Sequence, residues 1–376
     1  MSGKLAKVAA LVAIDLPGGP TFVDALRRVW DDGDAALPLD QRLAGAARSE
    51  LLDTLAPGAV VDQAGRTRRP AGVPVEEGDA LVVSTSGTTG RPRGVVLTHA
   101  AVTASALATS RRLGVDAARH RWLACLPLSH VGGLSVVTRA LLTGAALTVH
   151  PGFDAGAVMA AAGPEVLVSL VPTTLARVQP GRFHTVVLGG SAPPADLPAN
   201  VVTTYGLTET GSGVVYDGVA LEGVDVAVDA AGQIRLRGPM LLRAYRDGTV
   251  ATDAEGWYAT GDAGAILADG RLRVDGRLSD LIVTGGDNVW PASVEAVLGR
   301  HPGVDQVAVA GRPDPEWGER VVAWVVPAPG AVPPTLDELR ALVKDQLAAY
   351  AAPRELVLTD VLPTTPIGKV RRQALR

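Results

Sequence analysis

Ser84-Thr85-Ser86-Gly87-Thr88-Thr89-Gly90-Arg91-Pro92-Arg93-Gly94 is the stretch on which the reading of this chain turns. The apolar run at 81–83 leads in as a strand. Thr98 has the side chain to cap a helix over 100–112, and Gly114 follows as its stop. Between strand and helix, Gly87, Gly90 and Gly94 let backbone N–H groups approach an anion closely. Ser84, Thr85, Ser86, Thr88 and Thr89 add uncharged donors, and Arg91 and Arg93 add positive charge. Such a loop suits polyphosphate. It is not a P-loop, because no Gly-x-x-x-x-Gly-Lys-Ser/Thr string occurs in the chain.

Composition narrows what surrounds this loop. The 376 residues suffice for two domains, each with a core of its own. A formal net charge of −4 gives no electrostatic reason to expect nucleic acid or an anionic membrane surface as partner. The single cysteine, Cys125, permits no internal disulfide and fits a reducing cytoplasm. No apolar run reaches the length of a membrane span, and Asp15 breaks the one at 8–14, which reads as a short buried strand or helix. Of 35 basic residues only Lys4, Lys7, Lys344 and Lys369 are lysines. A lysine that persists at a functional position in so arginine-rich a chain is one that arginine does not replace well.

From about 79 to 210, strands expected at 122–126, 147–149, 166–170, 185–188 and 201–204 alternate with helices at 134–142, 155–162 and 173–178. That alternation predicts an α/β sheet layer. Over about 215–276 short strands and glycine turns predict a small β-rich, barrel-like unit. From 280 onward the pattern is α+β: a helix opened by Pro291 through 298, strands at 306–310 and 320–326, and a helix over 336–348. The proline-rich 327–334 reads as a loop within that region. The expected domains are therefore 1–278 and 279–376.

Further motifs carry chemistry. Gly189-Gly190-Ser191 follows a strand, where two glycines let a flat ring lie against backbone. In Tyr205-Gly206-Leu207-Thr208-Glu209, Tyr205 offers an aromatic face, Thr208 a hydroxyl for phosphate and Glu209 a carboxylate for Mg²⁺. Asp262, after the Gly256 and Gly261 turns, can accept two ribose hydroxyls, or simply close an Asx-turn. His130 opens a helix in Leu126-Pro127-Leu128-Ser129-His130, where a structural histidine is equally at home.

Taken together and in this order, the loop and these motifs resemble the adenylate-forming superfamily of acyl-CoA synthetases, adenylation domains and luciferases. Asp275-Gly276-Arg277-Leu278-Ser279-Asp280 and Pro366-Ile367-Gly368-Lys369-Val370-Arg371-Arg372 extend the likeness to the C-terminal region. The resemblance implies a large ATP- and acyl-binding N-terminal domain and a small mobile C-terminal domain that pivots at Ser279. It implies that Ser84–Gly90 and Arg93 bind ATP phosphates, Gly189, Gly190, Ser191, Tyr205 and Gly206 the adenine, and Asp262 and Arg277 the ribose or phosphates. It implies catalytic roles for Lys369, Glu209 (the Mg²⁺ ligand), Thr208 and His130, with coenzyme A as co-substrate. Family members are often dimers, so a homodimer is expected too. The chain departs from the pattern at Arg93, usually lysine, and at Ser279, usually Asp or Lys.

The strings 169–175 and 209–218, with only about 80 residues ahead of the phosphate loop, are most similar to o-succinylbenzoate–CoA ligases of menaquinone biosynthesis. A dianionic acid leaves one carboxylate free, which calls for a cation or several donors in the pocket. Arg139, Arg177 and Ser212 are the candidates beside His130, although each arginine reads first as solvated surface charge. Another aryl- or fatty-acyl-CoA ligase shares every ATP motif. An amino-acid adenylating enzyme and an inactive nucleotide binder are the weaker alternatives.

Overall fold

The computed structural model describes residues 8–86, 91–194, 196–364 and 370–375. The chain folds into two compact units, one of residues 1–193, 197–226 and 236–258, the other of 194–196, 227–235 and 259–376.

The first unit is built on two seven-stranded sheets. One runs in the order Ala244–Tyr245, Pro92–Thr98, Asp79–Ser86, Ala35–Pro38, Leu11–Ile14, Ala59–Asp62, Gly65–Arg68. Its central strands are parallel. Leu11–Ile14, the strand found inside the 8–14 run, is wholly buried, as an unbroken apolar run in a parallel sheet should be.

The second sheet runs Val219–Ala220, Ser212–Tyr216, Val201–Leu207, Thr185–Leu188, Val166–Leu170, Arg121–Ala124, Ala146–Val149. The five strands expected from the α/β alternation are here and are mutually parallel. Helices Val131–Thr143, Ala155–Ala160 and Pro172–Leu175 lie between them in sequence. His99–Arg112 packs against Val131–Thr143, and Thr98 Oγ1 accepts the Ala101 N–H at 3.1 Å as its cap.

One element of this unit differs from expectation. The phosphate loop does not lead directly into the helix. Pro92–Thr98 forms a second strand, antiparallel to Asp79–Ser86, with Ser84 opposite Gly94 and Thr85 opposite Arg93. The reason is burial: Val95, Val96 and Leu97 are all nearly solvent-free, and a strand inside the sheet buries such a short apolar run on both faces while pairing its backbone.

The β-rich stretch is shared among sheets. Asp225–Val228, Gln233–Arg237, Tyr258–Ile266 and Leu272–Arg277 form a four-stranded sheet, most of it in the second unit. Ser212–Tyr216 pairs antiparallel with Val201–Leu207, and Ala244–Tyr245 with Pro92–Thr98. These outlying strands complete the larger sheets because their partners have open edges there.

The second unit carries a five-stranded sheet in which a long hairpin, Val304–Asp314 with Gly318–Pro327, is flanked by Ile282–Thr284, Asp287–Val289 and Glu355–Leu358. Helices Pro291–Leu298 and Leu336–Gln346 bury Val294, Val297, Leu339 and Val343 against one face. On the other face Leu362 and Leu375 pack on Ala308, Val322 and Trp324, which pins the C-terminal segment. Among the described residues no helix is long and apolar enough to cross a membrane.

Candidate active site

In the first unit the phosphate hairpin carries Ser84 and Thr85 on its paired strand, with Thr85 Oγ1 donating to the Arg93 carbonyl at 3.3 Å. Gly87, Thr88, Thr89 and Gly90 lie outside the described residues, as does the side chain of Ser86. Arg93 is half-exposed. Its guanidinium carbon sits 3.3 Å above the Tyr245 ring centroid, and its Nε is 3.8 Å from Asp247. The Tyr245 hydroxyl donates to Glu209 Oε1 at 3.0 Å. Burial is the main reason the Tyr245 phenol is pushed above its ordinary pKa, so it stays a donor.

Glu209 and Thr208 lie on a 3₁₀ turn, Thr208–Thr210, that follows Tyr205 and Gly206. The turn is tied down by Thr210 Oγ1, which accepts the Leu207 N–H at 2.9 Å and donates to the Ser212 carbonyl at 2.7 Å. Gly206 stands where the strand pairing slips by a residue, and a Cβ there would strike the Ser212 carbonyl. Gly190 has φ +91°, which lets the Gly189-Gly190-Ser191 loop turn sharply off the strand Thr185–Leu188. Thr204 Oγ1 donates to the Leu188 carbonyl at 3.3 Å and joins the ends of the two adjacent strands that carry this loop and Tyr205. An aromatic face, a glycine cradle, a hydroxyl and one carboxylate fit a nucleotide with its Mg²⁺, which keeps waters and phosphate oxygens and needs few protein ligands.

The acyl-side residues divide. His130 is the N-terminal residue of the Val131–Thr143 helix, with Nε2 3.7 Å from Asp40 Oδ2. The Arg42 fork, at 2.7 and 2.8 Å, holds the Asp40 carboxyl below the usual range. Arg139, nine residues on, is not a solvated charge. It is 2% exposed, stacks 5.2 Å from the Trp122 ring and donates through Nη2 to Ser212 Oγ. Its Nε and Nη1 are buried without a hydrogen-bond partner, and burial lowers its pKa. Nearby, Tyr216 shares a hydrogen bond with Thr109 at 3.1 Å. Two of the acyl candidates, Arg139 and Ser212, are thus in contact. Arg177 is exposed, above Phe153 at 5.1 Å, as a solvated charge would be.

In the second unit Asp262 and Arg277 face each other across paired strands and form an ion pair at 2.7 Å. Thr260 Oγ1 accepts the Asp262 N–H at 3.0 Å and donates to the Ile234 carbonyl at 2.8 Å. Ser279 lies on the 3₁₀ turn Leu278–Asp280. Lys369 lies outside the described residues together with 365–368, and the chain is described again from Val370. Thr364 bridges Val370, and the Arg371 N–H donates to the Pro363 carbonyl at 2.8 Å. Arg372 then reaches Glu295 at 2.6 and 2.7 Å, Asp280 at 3.4 Å and the Val309 carbonyl at 3.2 Å. Burial opposes its charge, yet the two carboxylates prevail and raise its pKa.

Tyr245 and Asp40 escaped the sequence reading. Tyr245 sits in Arg243-Ala244-Tyr245-Arg246, a string with no glycine, and its partner Glu209 is 36 residues away. Asp40 was detectable only as an acid two residues after Pro38, ahead of a helix.

Residues 31–246 match the family model of AMP-binding enzymes, and residues 293–369 match the AMP-binding enzyme C-terminal domain. The chain belongs to the AMP-binding enzyme family, and so to the adenylate-forming superfamily. It is 43% identical over 331 residues to a probable 2-succinylbenzoate–CoA ligase of Mycobacterium tuberculosis, covering 81% of this chain and 85% of that one. It is 34% identical over 334 residues to the 2-succinylbenzoate–CoA ligase of Listeria monocytogenes, covering 79% and 69%. Among solved structures it resembles o-succinylbenzoate CoA synthetase (MenE) from Bacillus subtilis in complex with the acyl-adenylate OSB-AMP. That match has a TM-score of 0.86 and 27% identity, over 99% of this chain and 89% of that one. The same enzyme with ATP and magnesium matches at a TM-score of 0.85 and 27% identity, covering 98% and 90%.

Proposed function

We propose that this chain is an ATP- and Mg²⁺-dependent o-succinylbenzoate–CoA ligase serving menaquinone biosynthesis in the cytoplasm. The observation that carries the choice of acid is Arg139. A buried guanidinium with two unpartnered nitrogens and a serine beside it is suited to receive an anion, and a dianionic acid brings one to spare. The names of the relatives point the same way.

The chemistry follows from charge. One carboxylate oxygen attacks the α-phosphorus of ATP, the bond to the bridging oxygen breaks, and pyrophosphate leaves. The coenzyme A thiol then attacks the acyl carbonyl, and AMP leaves with the electron pair. In the first step an anion approaches a polyanion, so positive charge and donors must be in place beforehand. Bound Mg²⁺, with Glu209 as its protein ligand, supplies part of that charge. Arg93 and the hydroxyls of the 84–94 loop supply more, and Lys369 meets the carboxylate and the α-phosphate. Asp262 and Arg277 hold the ribose, Tyr205 and the Gly189–Ser191 loop the adenine, Thr208 a phosphate oxygen, and His130 flanks the acyl group. The proposed domains are 1–278 and 279–376, pivoting at Ser279, and the proposed assembly is a homodimer. A monomer mass by light scattering would refute the assembly.

The test is pyrophosphate release with ATP, Mg²⁺ and CoA against o-succinylbenzoate, benzoate, a medium-chain fatty acid and an amino-acid mixture. Turnover is expected with o-succinylbenzoate. Turnover with a monoanion instead would discard the acid and keep the reaction class.

A further inference from the structure

Arg93 stands where the family usually has lysine, and the structure shows what accompanies the exchange. The guanidinium carbon sits 3.3 Å from the Tyr245 ring centroid, and a planar guanidinium can stack on an aromatic face in a way that a compact ammonium cannot. The same tyrosine donates through its hydroxyl to Glu209 Oε1 at 3.0 Å. One side chain therefore touches both the phosphate-hairpin cation and the metal-binding carboxylate.

Tyr245 is fixed there by backbone. Ala244–Tyr245 pairs with the hairpin strand, placing Tyr245 opposite Val95. The next residue, Arg246, donates its N–H to the Gly94 carbonyl at 2.7 Å. Its guanidinium donates to three carbonyls, those of Leu55, Val73 and Pro74. A rigid strand edge thus delivers the ring and the hydroxyl together.

We propose that Tyr245 is a positioning residue of the ATP site, with its ring seating Arg93 for the phosphates and its hydroxyl aiming Glu209 at the metal. The proposal rests on the assignment of Arg93 and Glu209 to Mg²⁺–ATP made above. A cation over the ring makes the phenol a better donor to the carboxylate, so the two contacts reinforce each other. It follows that restoring the family's usual lysine at position 93 weakens the site in this chain.

The test is equilibrium binding of ATP by calorimetry, without acid or CoA, across a series of Mg²⁺ concentrations. Tyr245→Phe keeps the ring and removes the hydroxyl. It should raise the Mg²⁺ concentration needed for half-maximal ATP affinity by on the order of tenfold, the loss expected of a hydrogen bond to a charged group. Its ATP affinity at saturating Mg²⁺ should stay near wild type. Arg93→Lys should weaken ATP at every Mg²⁺ concentration by a few-fold, without moving the Mg²⁺ midpoint. Tyr245→Leu should do both. A purely structural tyrosine would lower melting temperature and affinity together and leave the Mg²⁺ midpoint alone. A wild-type Mg²⁺ midpoint in Tyr245→Phe, or unchanged or tighter ATP binding by Arg93→Lys, overturns the proposal. If the wild-type protein binds no ATP at any Mg²⁺ concentration, the nucleotide-site reading beneath it falls as well.

Discussion

Replacing Arg139 by methionine should make the empty protein more stable and the enzyme far worse at its own acid. The guanidinium is 2% exposed, its Nε and Nη1 have no partner, and Ser212 is its hydrogen-bond contact. Each buried donor left unmet costs ~1–3 kcal/mol, against ~1 kcal/mol gained from the serine. Methionine fills most of the volume without the donors, so the ligand-free protein should gain roughly 1–5 kcal/mol. With substrate bound the balance should reverse, because on the proposed assignment the free carboxylate is then buried without its cation. Truncating one partner of a buried charge pair costs ~3–4 kcal/mol, or about 10²–10³-fold in kcat/KM. Two assays read this out: thermal unfolding of the ligand-free protein, and pyrophosphate release with o-succinylbenzoate beside its two monoanionic analogues, each lacking one carboxylate. The variant should melt higher and lose its preference for the dianion, while its rate with the better monoanion holds. A variant that melts lower and keeps the dianion preference would refute the reasoning on both counts.

Three other outcomes are expected. Lys369→Ala should abolish adenylate formation but leave thioester formation from preformed acyl-adenylate largely intact; equal loss in both half-reactions would remove Lys369 from its role. Arg243→Ala should destabilise the first unit by ~3–5 kcal/mol, since it strands the buried Asp79 carboxylate now held by the Arg243 fork at 2.8 and 2.9 Å; chemical denaturation with an unchanged midpoint would count against it. Burial lowers the pKa of both His99 and His184 below the ordinary histidine value, with the neighbouring His120 and Arg119 adding to the effect at His184. The unfolded chain therefore takes up these protons first, so their contribution is full above about pH 6.5 and is lost as pH falls through and below that value. Melting temperature followed from pH 8 to 5 checks the sign, and His184→Gln should flatten part of the slope.

The α/β layer was legible because parallel strands buried on both faces are apolar-rich, and Val166–Leu170 and Thr185–Leu188 are apolar but for Ser169 and Thr185. The Thr98 cap was legible for a local reason, since its partner is three residues away. The strand Pro92–Thr98 was not, because a proline, an arginine and a glycine open it and only three apolar residues follow. The candidate nucleotide residues of the first unit could be named from sequence because each motif is a short contiguous string. What stayed hidden were the contacts that depend on tertiary register: Arg139 with Ser212, 73 residues apart, and Tyr245 with Glu209, 36 apart. The Arg372 clamp on Asp280 and Glu295 spans 92 and 77 residues, and a basic C-terminal string gives no hint of it. Sequence pattern reports which residue types occur, whereas partner choice at such distances is decided by strand order.

Cys125 is the only thiol in the chain; it is buried, and burial pushes it up to about 12. At neutral pH it is almost wholly protonated and out of reach of an alkylating reagent. The natural protein is therefore already a silent background for site-directed labelling. A cysteine introduced at an exposed position on each side of Ser279 would take a donor and an acceptor dye without first deleting a native residue. Single-molecule energy transfer between them would then test whether the proposed pivot at Ser279 moves between the two half-reactions in an otherwise unaltered protein.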